Sequence, residues 1–356
     1  MNYKETIYFV GKCLTISQEK NNKIQLKKQI ISGNVDWDNV IKISTKHYVF
    51  PALYCNLKRA NLLSYLPKDL VAYMKHITEL NRKRNKHIIE QAKEINRLLL
   101  DNNITPVFLK GTGNLLNGLY EDIAERMVGD IDCILTLRNC NRAYEVLHTH
   151  GYTTNKRLFA DHRHLPRLVH PNRIAAVELH KEMLLKSKSS FFNFNTVAAG
   201  IVQKDNISHL SLADQIKLTV FSKMINDREY IHKTINLRAA YDYYLLSKKL
   251  PEETDIIHKE LGKELNAGIH LYAHFLAKSK NITFKNTSKS KKHTHKVIRH
   301  MDHPVRAKIE RSIRLFYLKT NTRIAILTKA LYNDGYRQYV KEKFSDKEWL
   351  RSKFSG

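Results

Sequence analysis

The run Gly129-Asp130-Ile131-Asp132-Cys133-Ile134-Leu135 constrains this chain more than any other segment. It is short and apolar except for two carboxylates two residues apart. As a strand, it alternates side chains between faces, so Asp130 and Asp132 share one face and Ile131 and Cys133 the other. The apolar face needs a core to pack against. The acidic face needs a cation, because neighbouring carboxylates repel each other. Removing one charge from such a pair, as in Asp132→Asn, is expected to leave stability unchanged or to raise it.

The surrounding texture predicts a mixed unit. Residues 104–109 are a partly β-branched run bounded by turn residues and read as a strand. Lys110-Gly111-Thr112-Gly113 follows as a turn, and residues 114–120 as a helix. Residues 128–137 form a second strand, 139–150 a helix closed by Gly151, and 174–179 a third strand. Helical spacing prevails on both sides. Asp36 opens a helix carrying Trp37, Val40, Ile41 and Ile43. Met74, Ile77, Ile88, Ala92, Ile95 and Leu99 share one face of a helix over about 68–100, whose middle is interrupted by Arg82, Lys83, Arg84 and Lys86. Leu212, Ile216, Val220 and Met224 recur every four residues, Leu237, Tyr241 and Tyr244 continue the pattern, and residues 260–276 give a further helix. The expected fold is mixed, α+β: a small mixed sheet with helices, flanked by helical regions. The expected divisions are 1–103 (helical), 104–200 (core), 201–277 (helical) and 278–356 (basic and partly helical).

Charge narrows the partners. Sixty-one Lys+Arg stand against 34 Asp+Glu, a formal net charge of +27. Between 278 and 319 there are 13 Lys/Arg and only two acids, Asp302 and Glu310. Residues 281–296 lack a core pattern and read as a solvated loop or linker, and 311–332 as a helix with a basic face. Such charge attracts polyanions, RNA among them. No apolar run reaches the roughly 18 residues of a membrane span, and residues 7–10 are too short for a signal-peptide core. Four scattered cysteines give neither a disulfide framework nor a cysteine zinc site. A cytoplasmic protein with reduced thiols and no membrane association is expected. His162, His164 and His170 include an H-x-H pair, which suits a transition metal but lacks a close third ligand. Framing a pocket is the other reading of these histidines.

Paired carboxylates offer hard oxygen ligands, which suit Mg²⁺. A third acid is available in Val177-Glu178-Leu179-His180, where Glu178 and His180 share a face opposite Val177 and Leu179. If the third strand lies beside the second, Glu178 meets the aspartates. Asp130, Asp132 and Glu178 are therefore the catalytic and metal-ligating candidates. Two ions about 3.5–4 Å apart can clamp an in-line phosphoryl displacement. The nucleotide-binding candidates are Lys110, Gly111, Thr112, Arg126 and His180. Gly111 and Gly113 sit where a helix start favours anions, Lys110 adds charge and Thr112 a hydroxyl. Arg126 either forks onto a phosphate or pairs with Asp130. Tyr120 reads as core.

Phe108-Leu109-Lys110-Gly111, Leu119-Tyr120 and Arg126-Met127-Val128-Gly129-Asp130-Ile131-Asp132 together resemble the polymerase-β-like nucleotidyltransferase superfamily. Within it, they are similar to a bacterial nucleotidyltransferase family with an LKG…Y…R…GDID signature. Gly151-Tyr152 and Glu178-Leu179-His180 match as well. Asp36-Trp37 and Pro51-Ala52-Leu53-Tyr54 are similar to that family's helical lead-in. Leu212, Asp214, Arg238 and Asp242 are similar to its helical C-terminal half. The likeness covers about residues 35–250. It departs at Thr112, where the superfamily often has Ser, and in the spacing of Asp130, 19 positions after Gly111. The resemblance implies a polymerase-β-like core, two Mg²⁺ ions with Mn²⁺ as a substitute, and an NTP donor. It implies transfer of NMP to a hydroxyl acceptor (an RNA end, a protein side chain or a small molecule) with release of pyrophosphate. Two other functions use the same residues: a nucleic-acid-binding or regulatory protein with a degenerate site, and a D-x-D metal-dependent glycosyltransferase. The helical texture before the motif argues against the latter. That Gly111–Gly118 is not followed by Lys-Ser/Thr argues against a P-loop NTPase.

Overall fold

The computed structural model describes residues 1–154, 162–285 and 287–345. Five helices precede the first strand: α1 (Tyr3–Cys13), α2 (Lys20–Ile31), α3 (Trp37–Lys46), α4 (Phe50–Arg59) and α5 (Lys68–Asp101). The sheet region contains β1 (Val107–Phe108), α6 (Lys110–Leu116), β2 (Asp130–Ile134), α7 (Leu137–Thr149), β3 (Ala176–His180), α8 (Phe194–Val197), β4 (Val202–Lys204) and β5 (Ile207–His209). Then come α9 (Leu212–Phe221), a π-helical turn Ser222–Asn226, α10 (Glu229–His232) and α11 (Leu237–Lys248). The chain continues through β6 (Thr254–Asp255), α12 (Gly262–Phe275), β7 (Ile282–Thr283), α13 (Ser288–Asp302), α14 (Pro304–Ala330) and α15 (Asp334–Ser345).

The main sheet has the order β3-β2-β1-β5-β4. β2 is parallel to β3 and antiparallel to β1; β1 is parallel to β5, and β5 antiparallel to β4. Along β2 and β3 the predicted alternation holds. Ile131, Cys133, Val177 and Leu179 are fully buried on the core face. Segment 164–168 runs antiparallel along the outer edge of β3, bridging at His164–His180 and Leu168–Val177, so that edge is covered. The β4–β5 hairpin was not expected. It turns on Asp205 and Asn206, both at positive φ (50° and 59°), the backbone that a two-residue type I′ turn requires. Because β5 pairs with β1, the sheet extends past residue 200.

Two local expectations need correction. Lys110-Gly111-Thr112-Gly113 is not a turn before the helix but the first turn of α6 itself. Lys110 takes φ 52° at the join, and Gly113 lets α6 sit close on β1, since a Cβ there would lie 2.6 Å from the Phe108 carbonyl oxygen. Gly113→Ala is accordingly expected to destabilise by about 1–3 kcal/mol through overpacking, read as a lower urea midpoint at unchanged slope. The second correction concerns residues 281–296. From Ser288 this stretch is helix α13, capped by Thr287 and buried at His293, Thr294, Val297 and Met301. Its core face is half polar: His270 Nδ1 lies 2.8 Å from Thr294 Oγ1, which an apolar pattern alone does not reveal. Asn286 and residues 346–356 of the expected basic region lie outside the described residues.

Burial leaves one carboxylate exposed to a pH test. Glu229 of α10 is buried, and one of its oxygens has no hydrogen-bond partner among the described residues. Burial pushes its carboxyl up to about 8. A folded value above the unfolded one means the native state holds the extra proton. The stability it contributes is complete below about pH 4.5 and is lost as pH rises through about 8. Glu229→Gln is expected to melt at higher temperature than wild type at pH 8–9, by a margin that shrinks steadily toward pH 5. A pH-independent difference in Tm would refute this.

Candidate active site

The acidic strand is aimed by the long helix α5. Asn81 Nδ2 donates to the carbonyls of Ala124 (2.7 Å) and Arg126 (3.2 Å), and Asn85 Nδ2 to those of Ile123 (2.5 Å) and Arg126 (2.7 Å). Arg82, inside the charged middle of α5, pairs with Asp122 at 2.5 Å. From the other side Arg59 pairs with buried Glu125 at 2.6 Å, and Tyr241 of α11 donates its hydroxyl to the same carboxylate at 2.5 Å. Segment 122–128 is thus fixed by charged, amide and hydroxyl groups from three helices. That rigidity decides where Asp130 enters β2.

Parallel pairing of β2 and β3 sets Asp132 opposite Glu178 and Asp130 opposite Ala176. The side-chain ligand atoms of Asp132, Glu178 and His180 all lie within 4.8 Å of one another. Asp132 Oδ1 accepts from Lys110 Nζ at 2.5 Å and from His180 Nε2 at 2.7 Å. Burial opposes the Asp132 charge, but Lys110 and His180 hold the carboxyl well below its usual range. Burial and then Lys110 push His180 down to about 4, so at neutral pH its imidazole is neutral and donates from Nε2. Burial and the Asp132 charge raise Glu178. Glu178 Oε2 lies 3.6 Å from His180 Nε2 and 3.8 Å from His164 Nε2. Asp130 stands apart from this cluster, ion-paired with Arg167 of the strip along β3. The carboxylate face is therefore compensated by protein cations rather than being simply repulsive.

These acids open onto a cleft of about 520 Å³ between the sheet, α5, the π-helical turn and α11. Arg84, Lys110, Arg126, Arg163, Lys223 and Arg238 all line it. Arg126 does not pair with Asp130. Its Nε sits 2.9 Å from Asp242 Oδ2 in a buried ion pair, and Tyr120 donates its hydroxyl to the same aspartate at 2.7 Å. Arg238 lies beside this pair. Its Nη1 donates to the Met127 carbonyl (3.1 Å), its Nε has no partner among the described residues, and the neighbouring Arg126 pushes its guanidinium down to about 10. Two arginines thus face one aspartate. Gly111 borders the cleft against Arg126, where a Cβ would sit 3.2 Å from the guanidinium carbon.

The structure thus gathers Asp132, Glu178, His180 and Lys110, and sets Asp130, Gly111 and Arg126 along the same cleft. It does not bring Thr112 there. Thr112 is fully buried and donates its hydroxyl to the Asp130 carbonyl at 2.8 Å, tying α6 to β2. Of the three histidines weighed for zinc, His164 borders Glu178, whereas His170 packs on Tyr152 with ring centres 5.0 Å apart. The wall formed by Arg163, Lys223 and Asn226 was missed, because a segment rich in histidine and a helix with ordinary periodicity give no local sign of it.

A family model described as an uncharacterised nucleotidyltransferase matches residues 33–277, more than half of the chain. The chain belongs to that nucleotidyltransferase family. No curated protein and no solved structure matches it. Membership suggests a transferase that takes a nucleoside triphosphate. The site of this nucleotidyltransferase offers a divalent cation the carboxylates of Asp132 and Glu178, with the His180 imidazole within 4.8 Å of both. Among the described residues no helix is long and apolar enough to cross a membrane.

Proposed function

We propose that this protein moves an NMP group from an NTP to a hydroxyl acceptor and releases pyrophosphate, on a polymerase-β-like core. The observation that carries the reading is the register pairing Asp132 with Glu178 at the floor of a cation-lined cleft. Asp132 and Glu178 would hold Mg²⁺ or Mn²⁺, and Asp130, on the same strand face, would join them on release from Arg167. When bound, a divalent ion there would supply charge neutralisation and a more acidic acceptor hydroxyl. His180 orients Asp132 from behind through its Nε2–H. Glu178, raised by burial and its neighbour, takes the acceptor proton. The acceptor oxygen bonds to the α-phosphorus as the bond to the pyrophosphate oxygen breaks. Arg126, Arg238 and Lys110 stabilise the departing negative charge, and the fixed segment 122–128 positions it.

The test is incubation with each of the four NTPs labelled at the α-phosphate, a divalent cation and separated pools of RNA, protein and small molecules. Labelled product in one pool, absent with Asp132→Asn, supports the reading and identifies the acceptor class. Stabilisation by a UDP-sugar but by no NTP would favour a glycosyltransferase. Salt-sensitive RNA binding that survives Asp130→Ala and Asp132→Ala, with no transfer from any NTP, would favour a degenerate site.

A further inference from the structure

A second concentration of positive charge lies outside the cleft. Where α10 meets α13 and α14, Lys233, Lys296, Arg299, Arg306 and Arg314 converge on a pocket of about 220 Å³. One carboxylate, Glu310, lines it. Glu310 is already shared, accepting from Arg306 (3.0 Å), Arg314 (2.7 Å) and His300 (3.2 Å). Lys233, Lys296 and Arg299 form no ion pair among the described residues. Lys233 is also pinned in place. Its backbone is left-handed (φ 55°), its ammonium donates to the Tyr230 carbonyl and to His293 Nδ1, and it lies 4.3 Å from the centre of the Tyr230 ring. Burial, then Lys296, Arg314 and Lys263, push Lys233 down to about 8. Like charges held this closely by a folded scaffold cost stability, and a multivalent anion removes that cost.

We propose that this pocket is a phosphate-binding site, separate from the acidic cleft, that takes phosphate groups of a polyanion. The pocket is concave and small, which suits phosphate groups rather than a flat apolar partner. Guanidinium forks and ammonium groups are the side chains that bind phosphate oxygens most strongly. α10 separates the two sites, since Asn226 and Asp227 line the cleft and Lys233 the pocket. The same oxygens occur in single-stranded RNA and in free polyphosphate, and the experiment separates these sources. The inference does not depend on the transferase reading, because binding is measured without turnover.

The full chain is titrated, without divalent cation, against a labelled single-stranded RNA and against inorganic tripolyphosphate over a range of salt. Lys296 and Arg299 are exposed, so Lys296→Ala/Arg299→Ala folds as wild type does. Lys20→Ala/Lys23→Ala on α2, also exposed, removes equal charge elsewhere. The site pair is expected to weaken RNA binding roughly tenfold and to lower the salt slope by about 1.4, from about 0.7 per lost phosphate contact. The control pair is expected to do neither. Loss with RNA alone assigns a nucleic-acid strand, loss with tripolyphosphate alone assigns the free anion, and loss with both assigns the shared phosphate chemistry. Equal losses from site and control pairs, no loss from either, or no binding by wild type overturns the proposal.

Discussion

On the proposed mechanism Asp132→Asn is expected to reduce nucleotidyl transfer by about 10³-fold or more, since losing a ligand of the proposed metal would remove several kcal/mol of charge stabilisation from the transition state. The same change is expected to lower the stability of the metal-free protein by about 1–3 kcal/mol. This reverses the sign expected from sequence, where the two aspartates read as a repulsive pair. In the folded chain Asp132 is the acceptor for Lys110 and His180, and Asp130 has Arg167. Asparagine keeps an oxygen for one donor but leaves the Lys110 ammonium, only a quarter exposed, without its counter-charge. Divalent cation should then separate the two proteins further. It raises the Tm of wild type by mass action and leaves the variant almost unmoved. The checks are single-turnover transfer from labelled NTP and urea midpoints with and without Mg²⁺. Full activity in the variant would remove Asp132 from the mechanism. A variant that does not fold at all would make the acid a structural element.

The strand face of the site was legible because period-two alternation survives any tertiary context that buries one side. Ile131, Cys133, Val177 and Leu179 face the core, so Asp132, Glu178 and His180 must face the other way. Register was not legible, yet only one register brings Glu178 level with Asp132. The failures have different physical causes. Thr112 was assigned to phosphate because α6 was expected to begin four residues later; beginning at Lys110, the helix carries the threonine hydroxyl back onto the Asp130 carbonyl. The partner of Arg126 is 116 residues away, and nothing local in the sequence points from one to the other. Helix α13 was missed because its inner face carries threonine and histidine whose partners come from far along the chain, His270 of α12 and Lys233 just past α10. The β4–β5 turn did carry a signal, since Asp and Asn both tolerate positive φ, but its strands are only three residues each.

Asp242→Ala is expected to have the largest effect on stability, a loss of about 3–5 kcal/mol, because it leaves buried Arg126 without its counter-ion beside Arg238. Tyr120 also loses the acceptor of its hydroxyl. The gentler Asp242→Asn keeps the shape and an acceptor oxygen, so it should fold and can be measured if the alanine variant cannot. In either variant two arginines border the cleft with no local acid between them. A triphosphate entering there takes over the role of Asp242, so tripolyphosphate or NTP should raise Tm more in the variant than in wild type. Arg126→Met together with Asp242→Leu should recover part of the lost stability, as volume-matched apolar replacement of a buried ion pair often does. That double variant should also lose the extra response to triphosphate. Comparing the triphosphate response of the four proteins then separates two roles of Asp242: a counter-ion that only supports the fold, and a placeholder for the charge the cleft is built to receive. If triphosphate stabilises all four equally, the arginines do not face the ligand and the phosphate subsite must be sought at Lys110 and Arg163 instead.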